Sequence, residues 1–328
     1  MIQRQLGKNG PKISEIGLGC WQLGGDWGDP LSEETGLEIL KEAVNQGVTL
    51  FDTADVYGGG KSESLIGTFL KTEKKPLTII SKYGRGAGIY PDNYTEKNLN
   101  ESIIGSLKRL GLDSLDLIQL HCIPQEILEQ GEIFTWLRKL KNEGLIKNFG
   151  ASVETVEQGL ICMKQEGMLS LQVIFNIFRQ RLISDLLPMA QEQGTGIIVR
   201  LPLASGLLSG KFDRSTNFGA NDHRNYNRNG EAFNVGETFA GIEFNKGLEI
   251  IDQLKKRFLP ARMPMAQFAV RWILDHKAVS CVIPGASKIE QVISNAQASS
   301  LPPLTEELHD RLYEFYKEEI DSFIRGAY

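Results

Sequence analysis

The stretch TLFDTADVYGGGKSESLIG, residues 49–67, places an acid, a tyrosine and three glycines directly after an apolar run. The run TLFDTA is typical of a buried strand, because it is short, apolar and rich in β-forming residues. Asp52 and Tyr57 lie at the end of this strand, five residues apart, and Gly58 to Gly60 permit a tight turn behind them. The function then depends on what the rest of the chain brings to the same point.

The same alternation of strand and helix continues along the chain. Six further apolar runs follow, with helical periods of ten or more residues between them: LTIISKYG, LDLIQLHC, IKNFGASV, LQVIFN, GIIVRLPL and VSCVIPGA. Several helices end in a glycine just before the next strand, at Gly47, Gly111, Gly144, Gly167 and Gly194. This pattern predicts a parallel sheet covered by helices. With SEIGLGCW near the N-terminus there are eight candidate strands, which favours an α/β fold of the closed (β/α)8 TIM barrel type over an open doubly wound sheet.

Two segments depart from the alternation. The opening RQLGKNGPKISEIG contains a Gly-Pro turn and predicts a short N-terminal hairpin that plugs the bottom of the barrel. Lys211 to Phe244 is polar and rich in glycine and asparagine, and it follows the seventh strand. A long loop at this position is expected on the active face, where it could cover a ligand. We find no repeat or linker, so residues 1–328 are predicted to form a single barrel domain.

Composition excludes several classes of function. The formal net charge of −5 argues against nucleic acid or an anionic membrane as the main partner. The first residues lack the apolar segment of a signal peptide, and no apolar run of about 18 residues spans a bilayer. The four scattered cysteines are predicted to be free thiols in a reducing cytoplasm. The segment Asp222 to Arg224 (DHR) lacks metal-ligand spacing, so we expect a cytoplasmic protein without a metal site.

Four polar side chains come at the ends of consecutive strands. Asp52 and Tyr57 follow the second strand, Lys82 the third and His121 the fourth, so all four are expected at one barrel mouth. Tyrosine, with an ordinary pKa of about 10, is a poor proton donor unless a neighbouring ammonium stabilises its anion. Asp52 would keep Lys82 charged, and His121 could hydrogen-bond the substrate oxygen. The set suits proton transfer to a carbonyl, and the hydride that completes the reduction implies a nicotinamide cofactor.

The segment FDTADVYGGGKSESLIG resembles the signature of the aldo-keto reductase superfamily, and the likeness runs from GLGCWQLGG to PGASKIEQVISN. IISKYG and LIQLHC resemble the lysine and histidine segments of that family. The resemblance implies a TIM barrel in which Tyr57 is the general acid, Asp52 and Lys82 tune its acidity, and His121 orients the carbonyl.

The chain has no Gly-x-Gly-x-x-Gly of the Rossmann type, and the resemblance implies NADP(H) extended across the barrel mouth instead. The residues that match the family's cofactor contacts are Ser152, Gln172, Arg200, Pro202, Leu203, Gly206, Lys211, Gly285, Ser287, Lys288, Gln291 and Asn295. A preference for NADP(H) over NAD(H) depends mainly on Lys288, since Gln291 stands where many relatives carry an arginine for the phosphate.

Two positions differ from the family pattern. Val153 replaces the asparagine that usually follows Ser152, so one contact to the nicotinamide carboxamide is missing or replaced. Arg200 replaces the aromatic side chain that often stacks on the nicotinamide. A guanidinium can stack too, but its charge either favours the reduced cofactor or attracts an anionic substrate.

Trp21, Trp27, Tyr90 and His223 lie in loops that are expected to rim the substrate pocket. The leading interpretation is an NADPH-dependent carbonyl reductase for a small carbonyl or sugar, which could run in reverse as an aldose dehydrogenase. The alternative is a cofactor-sensing regulatory subunit, because some family members accompany ion channels. A Schiff-base aldolase would need Lys82 as a free amine, which pairing with Asp52 disfavours. We expect a monomer or a weak homo-oligomer.

Overall fold

The computed structural model describes residues 1–25, 28 and 30–328, so the predicted pocket residue Trp27 lies outside the described residues. Eight parallel strands pair in chain order within the described part: β3 Leu18–Gly19, β4 Leu50–Asp52, β5 Thr78–Tyr83, β6 Leu117–His121, β7 Phe149–Ser152, β8 Met168–Ile174, β9 Gly196–Arg200 and β10 Val279–Val282. The sheet closes on itself because Gly17 donates to the carbonyl of Val282 at 2.8 Å and Gly19 donates to that of Pro284 at 3.2 Å. The predicted (β/α)8 barrel is confirmed.

Helices surround this barrel. They are α1 Glu33–Asn45, α2 Lys61–Leu70, α3 Glu96–Leu110, α4 Gln125–Gln130, α5 Glu132–Asn142, α6 Val156–Met163, α7 Leu186–Gln193, α8 His223–Tyr226, α9 Phe244–Arg257, α10 Met265–Leu274, α11 Ile289–Gln297 and α12 Glu306–Glu319. The side chains of Ser32, Thr95 and Thr155 cap the first turns of α1, α3 and α6. Gly111 and Gly194 end α3 and α7 in the left-handed conformation, as the sequence pattern predicts.

The N-terminal hairpin forms as predicted. Strand β1 (Gln3–Gln5) pairs antiparallel with β2 (Lys12–Ser14). Leu6 and Ile13 of this hairpin are fully buried in one apolar cluster with residues of six barrel strands and the segment after β10: Leu50, Ile80, Leu117, Leu169, Ile198, Cys281 and Ile283. The hairpin therefore plugs the end of the barrel opposite to the polar strand ends.

The long loop after β9 is held by contacts at several points. Glu237 of this loop forms ion pairs with Arg85 and Arg200 of the barrel mouth, at 3.2 and 3.5 Å. From the C-terminal tail, Arg325 donates to the carbonyl oxygens of Gly241 and Arg228, at 2.9 and 3.1 Å. The loop thus bridges the barrel mouth and the end of the chain.

The cysteines and the helices were also the subject of sequence-based expectations. All four cysteines are buried and unpaired. Within residues 1–25, 28 and 30–328, every helix is too short or too polar to cross a bilayer.

Candidate active site

Neighbouring strands bring Asp52, Lys82 and Tyr57 into direct contact. Asp52 ends β4 and Lys82 lies on the neighbouring strand β5, two residues beyond the register partner of Asp52, with both side chains almost completely buried. The Lys82 ammonium lies 2.5 Å from Oδ1 of Asp52 and donates to the carbonyl of Thr53 at 2.8 Å. It also donates to the Tyr57 hydroxyl at 3.3 Å. The ammonium is therefore fixed between a carboxylate and a phenol.

The glycines after Tyr57 aim its ring into the mouth. Tyr57–Gly60 forms a tight turn in which Gly58 and Gly59 have φ of 59° and 63°, in the left-handed region. A side chain at Gly58 would also collide with the backbone of Gly24. The turn places the Tyr57 ring 5.8 Å from the His121 ring, edge to face, and 5.9 Å from Trp21, stacked.

The electrostatics of these groups follow from burial and from one charge pair. Burial raises the pKa of Tyr57 to about 12, and the Lys82 ammonium opposes this shift. Burial also disfavours charge on Lys82, but Asp52 and Tyr57 together keep its pKa above the ordinary value. Burial, together with the positive charges of Lys82, Arg85 and Arg200, lowers the pKa of His121 well below its ordinary range. His121 is therefore a neutral imidazole beside a protonated tyrosine.

The second oxygen of Asp52 has its own partner. The Gln172 amide donates to Oδ2 of Asp52 at 2.7 Å and to the side-chain oxygen of Gln119 at 2.8 Å. Gln119 is a fully buried residue of β6 that sequence reasoning missed. The available signal was a glutamine at an inward position of an otherwise apolar strand, LIQLH, two residues before His121.

A cavity of about 540 Å³ opens at the mouth above these groups. Asp52, Tyr57, His121 and Trp21 line it. So do most residues that the resemblance assigns to the cofactor: Gln172, Arg200, Pro202, Leu203, Gly206, Lys211, Gly285, Ser287, Lys288, Gln291 and Asn295.

Four other predicted residues that the structure describes do not line the cavity: Lys82, which lies behind its contacts with Asp52 and Tyr57, and Ser152, His223 and Tyr90. Ser152 is buried and its hydroxyl lies 3.5 Å from the Cys122 thiol. His223 is fully buried behind Trp21, with ring centroids 5.0 Å apart. Tyr90 is exposed to solvent over half of its surface.

An arginine cluster, defined here as Arg85, Arg179 and Arg200, lies beside the cavity. Arg85 pairs with Glu154 at 2.7 Å and with Glu237 at 3.2 Å. Burial works against the Glu237 carboxylate, yet Arg85 and Arg200 keep its pKa below the ordinary value. The Cys122 thiol and both carboxylates lie within 4.8 Å of one another, but the carboxylates already pair with arginines.

The far end of the cavity lies at the start of α11. The backbone N–H of Ser287 donates to the side-chain oxygen of Gln291 at 2.8 Å, which fixes the loop before the helix. Lys288 and Glu290 both line the cavity here, so this end carries one cationic and one acidic side chain. This end therefore offers cationic, amide and helix N-terminal donors for an anion, with one opposing acid.

Comparison with known proteins agrees with this architecture. The profile of the aldo/keto reductase family matches residues 15–317, and the chain belongs to that family. YqkF of Bacillus subtilis, described as an uncharacterized oxidoreductase, is 30% identical, with 98% of each chain covered. A probable voltage-gated potassium channel subunit beta of Oryza sativa is 27% identical over 95% of each chain. The solved structure of the glycerol dehydrogenase AKR11B4 from Gluconobacter oxydans is 26% identical, has a TM-score of 0.79 and covers 99% of this chain and 98% of its own. Family membership identifies the protein as an oxidoreductase.

Proposed function

We propose that the protein catalyses the NADPH-dependent reduction of an aldehyde or a ketone to the alcohol. The observation that supports this most directly is the Tyr57 hydroxyl, 3.3 Å from the Lys82 ammonium at a cavity that His121 also lines. Tyr57 transfers its proton to the carbonyl oxygen, and Lys82 stabilises the phenolate that forms. Asp52 keeps Lys82 protonated. His121, held neutral, hydrogen-bonds the carbonyl oxygen without competing as an acid.

The residues of the cavity suit a nicotinamide dinucleotide. When bound, this cofactor supplies the hydride that no side chain can provide. Gln172 would hold the carboxamide, while Gly206 and Lys211 would hold the pyrophosphate. Gln172 is positioned for this by its bond to Asp52, which links the cofactor site to the proton donor.

We infer a preference for NADPH over NADH from Lys288. Its ammonium lines the cavity at the N-terminus of α11, where a 2′-phosphate would also meet the helix dipole. Two features oppose this preference. Glu290 lines the same end, and the backbone N–H and the hydroxyl of Ser287 already donate to the side-chain oxygen of Gln291. The discrimination between the two cofactors is therefore expected to be modest.

The same residues serve the reverse reaction, in which the Tyr57 phenolate accepts the proton of an alcohol. The similarity to a protein described as a glycerol dehydrogenase supports a small polyol or sugar as a substrate in that direction. Residues 1–328 would act as one barrel domain, as a monomer or a weak homo-oligomer. Four buried free cysteines are consistent with a cytoplasmic location.

The test is a titration of the purified protein with NADPH and, separately, with NADH, followed by tryptophan fluorescence. Turnover is then measured with glyceraldehyde, methylglyoxal and 4-nitrobenzaldehyde, using Tyr57→Phe as the matched control. Tight NADPH binding and reduction that is lost in Tyr57→Phe support the proposal. Binding without turnover of any carbonyl would favour a regulatory subunit, the role suggested by similarity to a potassium channel subunit. If the protein binds neither NADPH nor NADH, both the reductase function and the cofactor-sensing regulatory role are overturned.

A further inference from the structure

The arginine cluster contains more donors than the described protein atoms can satisfy. The Nε of Arg85, the Nε and Nη1 of Arg179 and the Nε of Arg200 are buried and have no hydrogen-bond acceptor among the described residues. Buried guanidinium groups are costly unless they are paired and hydrogen-bonded. The cluster is thus incomplete as it stands.

Arg200 is the member that faces the reaction site. It ends β9 and lines the cavity together with Tyr57 and His121. Its contacts are weak: Nη2 lies 3.4 Å from the Cys122 thiol, and Nη1 lies 3.5 Å from the Glu237 carboxylate. Glu237 lies closer to Arg85, at 3.2 Å. The two Nη groups of Arg200, which make only these long contacts, therefore retain donor capacity.

The local charge balance is positive. The three guanidinium groups of the cluster repel one another and are attracted by two carboxylates, Glu154 and Glu237. Arg179 has no carboxylate partner among the described residues: Nη2 donates to the carbonyl of Ala327 at 3.3 Å, and the guanidinium lies 4.2 Å from the centre of the Tyr328 ring. One positive charge is left in excess. This excess charge is balanced by the single negative charge of a carboxylate. A phosphate monoester carries a charge of roughly −1.5 to −2 at neutral pH and matches it less well.

We propose that the enzyme selects carbonyl substrates that carry a carboxylate, and that Arg200 binds this group. This inference rests on the proposed carbonyl reduction and names its substrate class. A planar carboxylate can accept two parallel N–H bonds from one guanidinium, and such bonds would be shorter than the contacts that the Nη groups of Arg200 now make. The carbonyl carbon then lies between the Arg200 anchor and the Tyr57 and His121 pair.

The test compares kcat/KM for 4-oxobutanoate and for its methyl ester, which differ in one charge. We expect the wild-type protein to prefer the anion by about tenfold or more, as one charged hydrogen bond allows. In Arg200→Gln this preference is expected to fall by at least about tenfold. The matched control is Lys288→Gln, at the far end of the cavity, where both substrates should lose efficiency equally.

Several results would overturn the inference. A wild-type ratio near one, or a ratio that Arg200→Gln leaves unchanged, excludes anion selection by this residue. Equal losses for both substrates in Arg200→Gln would assign Arg200 to the nicotinamide instead. If the variant does not fold, inhibition of the wild type decides. Butanoate should compete with the aldehyde far better than butanamide, and equal inhibition contradicts the proposal.

A separate result distinguishes failure of the proposed reduction from failure of the proposed carboxylate site. In that case the wild type reduces neither substrate, and direct binding of butanoate and butanamide is followed by tryptophan fluorescence. Selective binding of butanoate, lost in Arg200→Gln, would retain the anion site without the reductase activity. Absence of selective butanoate binding would exclude the carboxylate site as well as the reductase activity.

Discussion

The side-chain amide of Gln172 donates to Oδ2 of Asp52 at 2.7 Å, while Lys82 occupies Oδ1 at 2.5 Å. The carboxylate is thus held from two sides, by strands β8 and β5. Gln172 also donates to Gln119, which does not line the cavity. Through Gln172 and Asp52, Gln119 is therefore expected to help position Tyr57, the proposed proton donor.

Gln119→Met tests this arrangement. Methionine is of similar size, but it removes the acceptor that orients Gln172. We expect the single-turnover rate of carbonyl reduction to fall about tenfold, equivalent to roughly 1.4 kcal/mol in the barrier of the chemical step. Ser170→Ala is the matched control. Ser170, on β8, is buried as Gln119 is, but its hydroxyl has no hydrogen-bond partner among the described residues. A loss confined to the KM for NADPH would contradict the role in positioning Asp52.

Tyr57→Phe and Lys82→Met should separate catalysis from stability. Tyr57→Phe removes the proton donor from a half-buried ring, so activity should fall by at least about 10³-fold with little change in unfolding midpoint. Lys82→Met also abolishes activity, but it leaves the Asp52 carboxylate buried without its cation. Breaking a buried pair in this way costs about 3–5 kcal/mol. Urea unfolding of the two variants measures the difference, and equal stabilities would contradict the buried pair.

The pH dependence should differ between the two directions of reaction. The proposed reduction needs protonated Tyr57. Because burial raises the pKa of Tyr57 to about 12, kcat/KM for reduction should be level from about pH 6 to 9. The pKa of His121 lies well below its ordinary value, so it does not titrate in this interval. Alcohol oxidation needs the phenolate and should rise up to about tenfold per pH unit. A bell-shaped reduction profile centred near neutral pH would exclude this assignment.

Asp55 provides a prediction about stability. Burial raises the pKa of its carboxyl from an ordinary 3.8 to about 6, although Ser102 donates to one oxygen at 2.9 Å. Because the pKa is higher in the folded protein, the stabilising contribution is fully present below about pH 4. It is lost as the pH rises through about 6. Asp55→Asn should therefore stabilise the protein increasingly from pH 4 to 7, by about 1–3 kcal/mol at pH 8.

Urea unfolding of Asp55→Asn and of the wild type at several pH values checks this prediction. Ser102→Ala serves as the control, and it should destabilise the protein at pH 8 because the carboxylate loses its donor. A gain from Asp55→Asn that is the same at pH 5 and pH 8 would show that Asp55 is not the titrating group.

The barrel and the meeting of Asp52, Tyr57, Lys82 and His121 could be predicted from the sequence. The reason is geometric: parallel strands end at one rim, so residues at the ends of consecutive strands converge whatever the helices do. The tight turn after Tyr57 was equally local, because three glycines in succession permit the left-handed conformations it requires.

The rest of the site depends on contacts between distant segments. Nothing in the local sequence shows that Glu237 would reach across the mouth to Arg85 and Arg200. Likewise, His223 is a polar residue of a loop, which suggested the pocket rim, but its ring packs behind Trp21 in the core of the folded loop. The positions of such residues depend on how the long loop after β9 folds back onto the barrel. The hydrophobic period and the motif spacing of the sequence carry no information about this folding.

The attachment of the long loop has a kinetic consequence. Arg325 holds Gly241 and Arg228 from the end of the chain, and Arg85 holds Glu237 from the barrel. A segment fastened at both sides opens slowly, so departure of the oxidised dinucleotide, rather than bond breaking, is expected to limit turnover. Deuterium in place of the transferred hydrogen of NADPH should then leave kcat nearly unchanged in the wild type. Removing residues 324–328 should free the loop on one side, raise kcat and make the isotope effect visible.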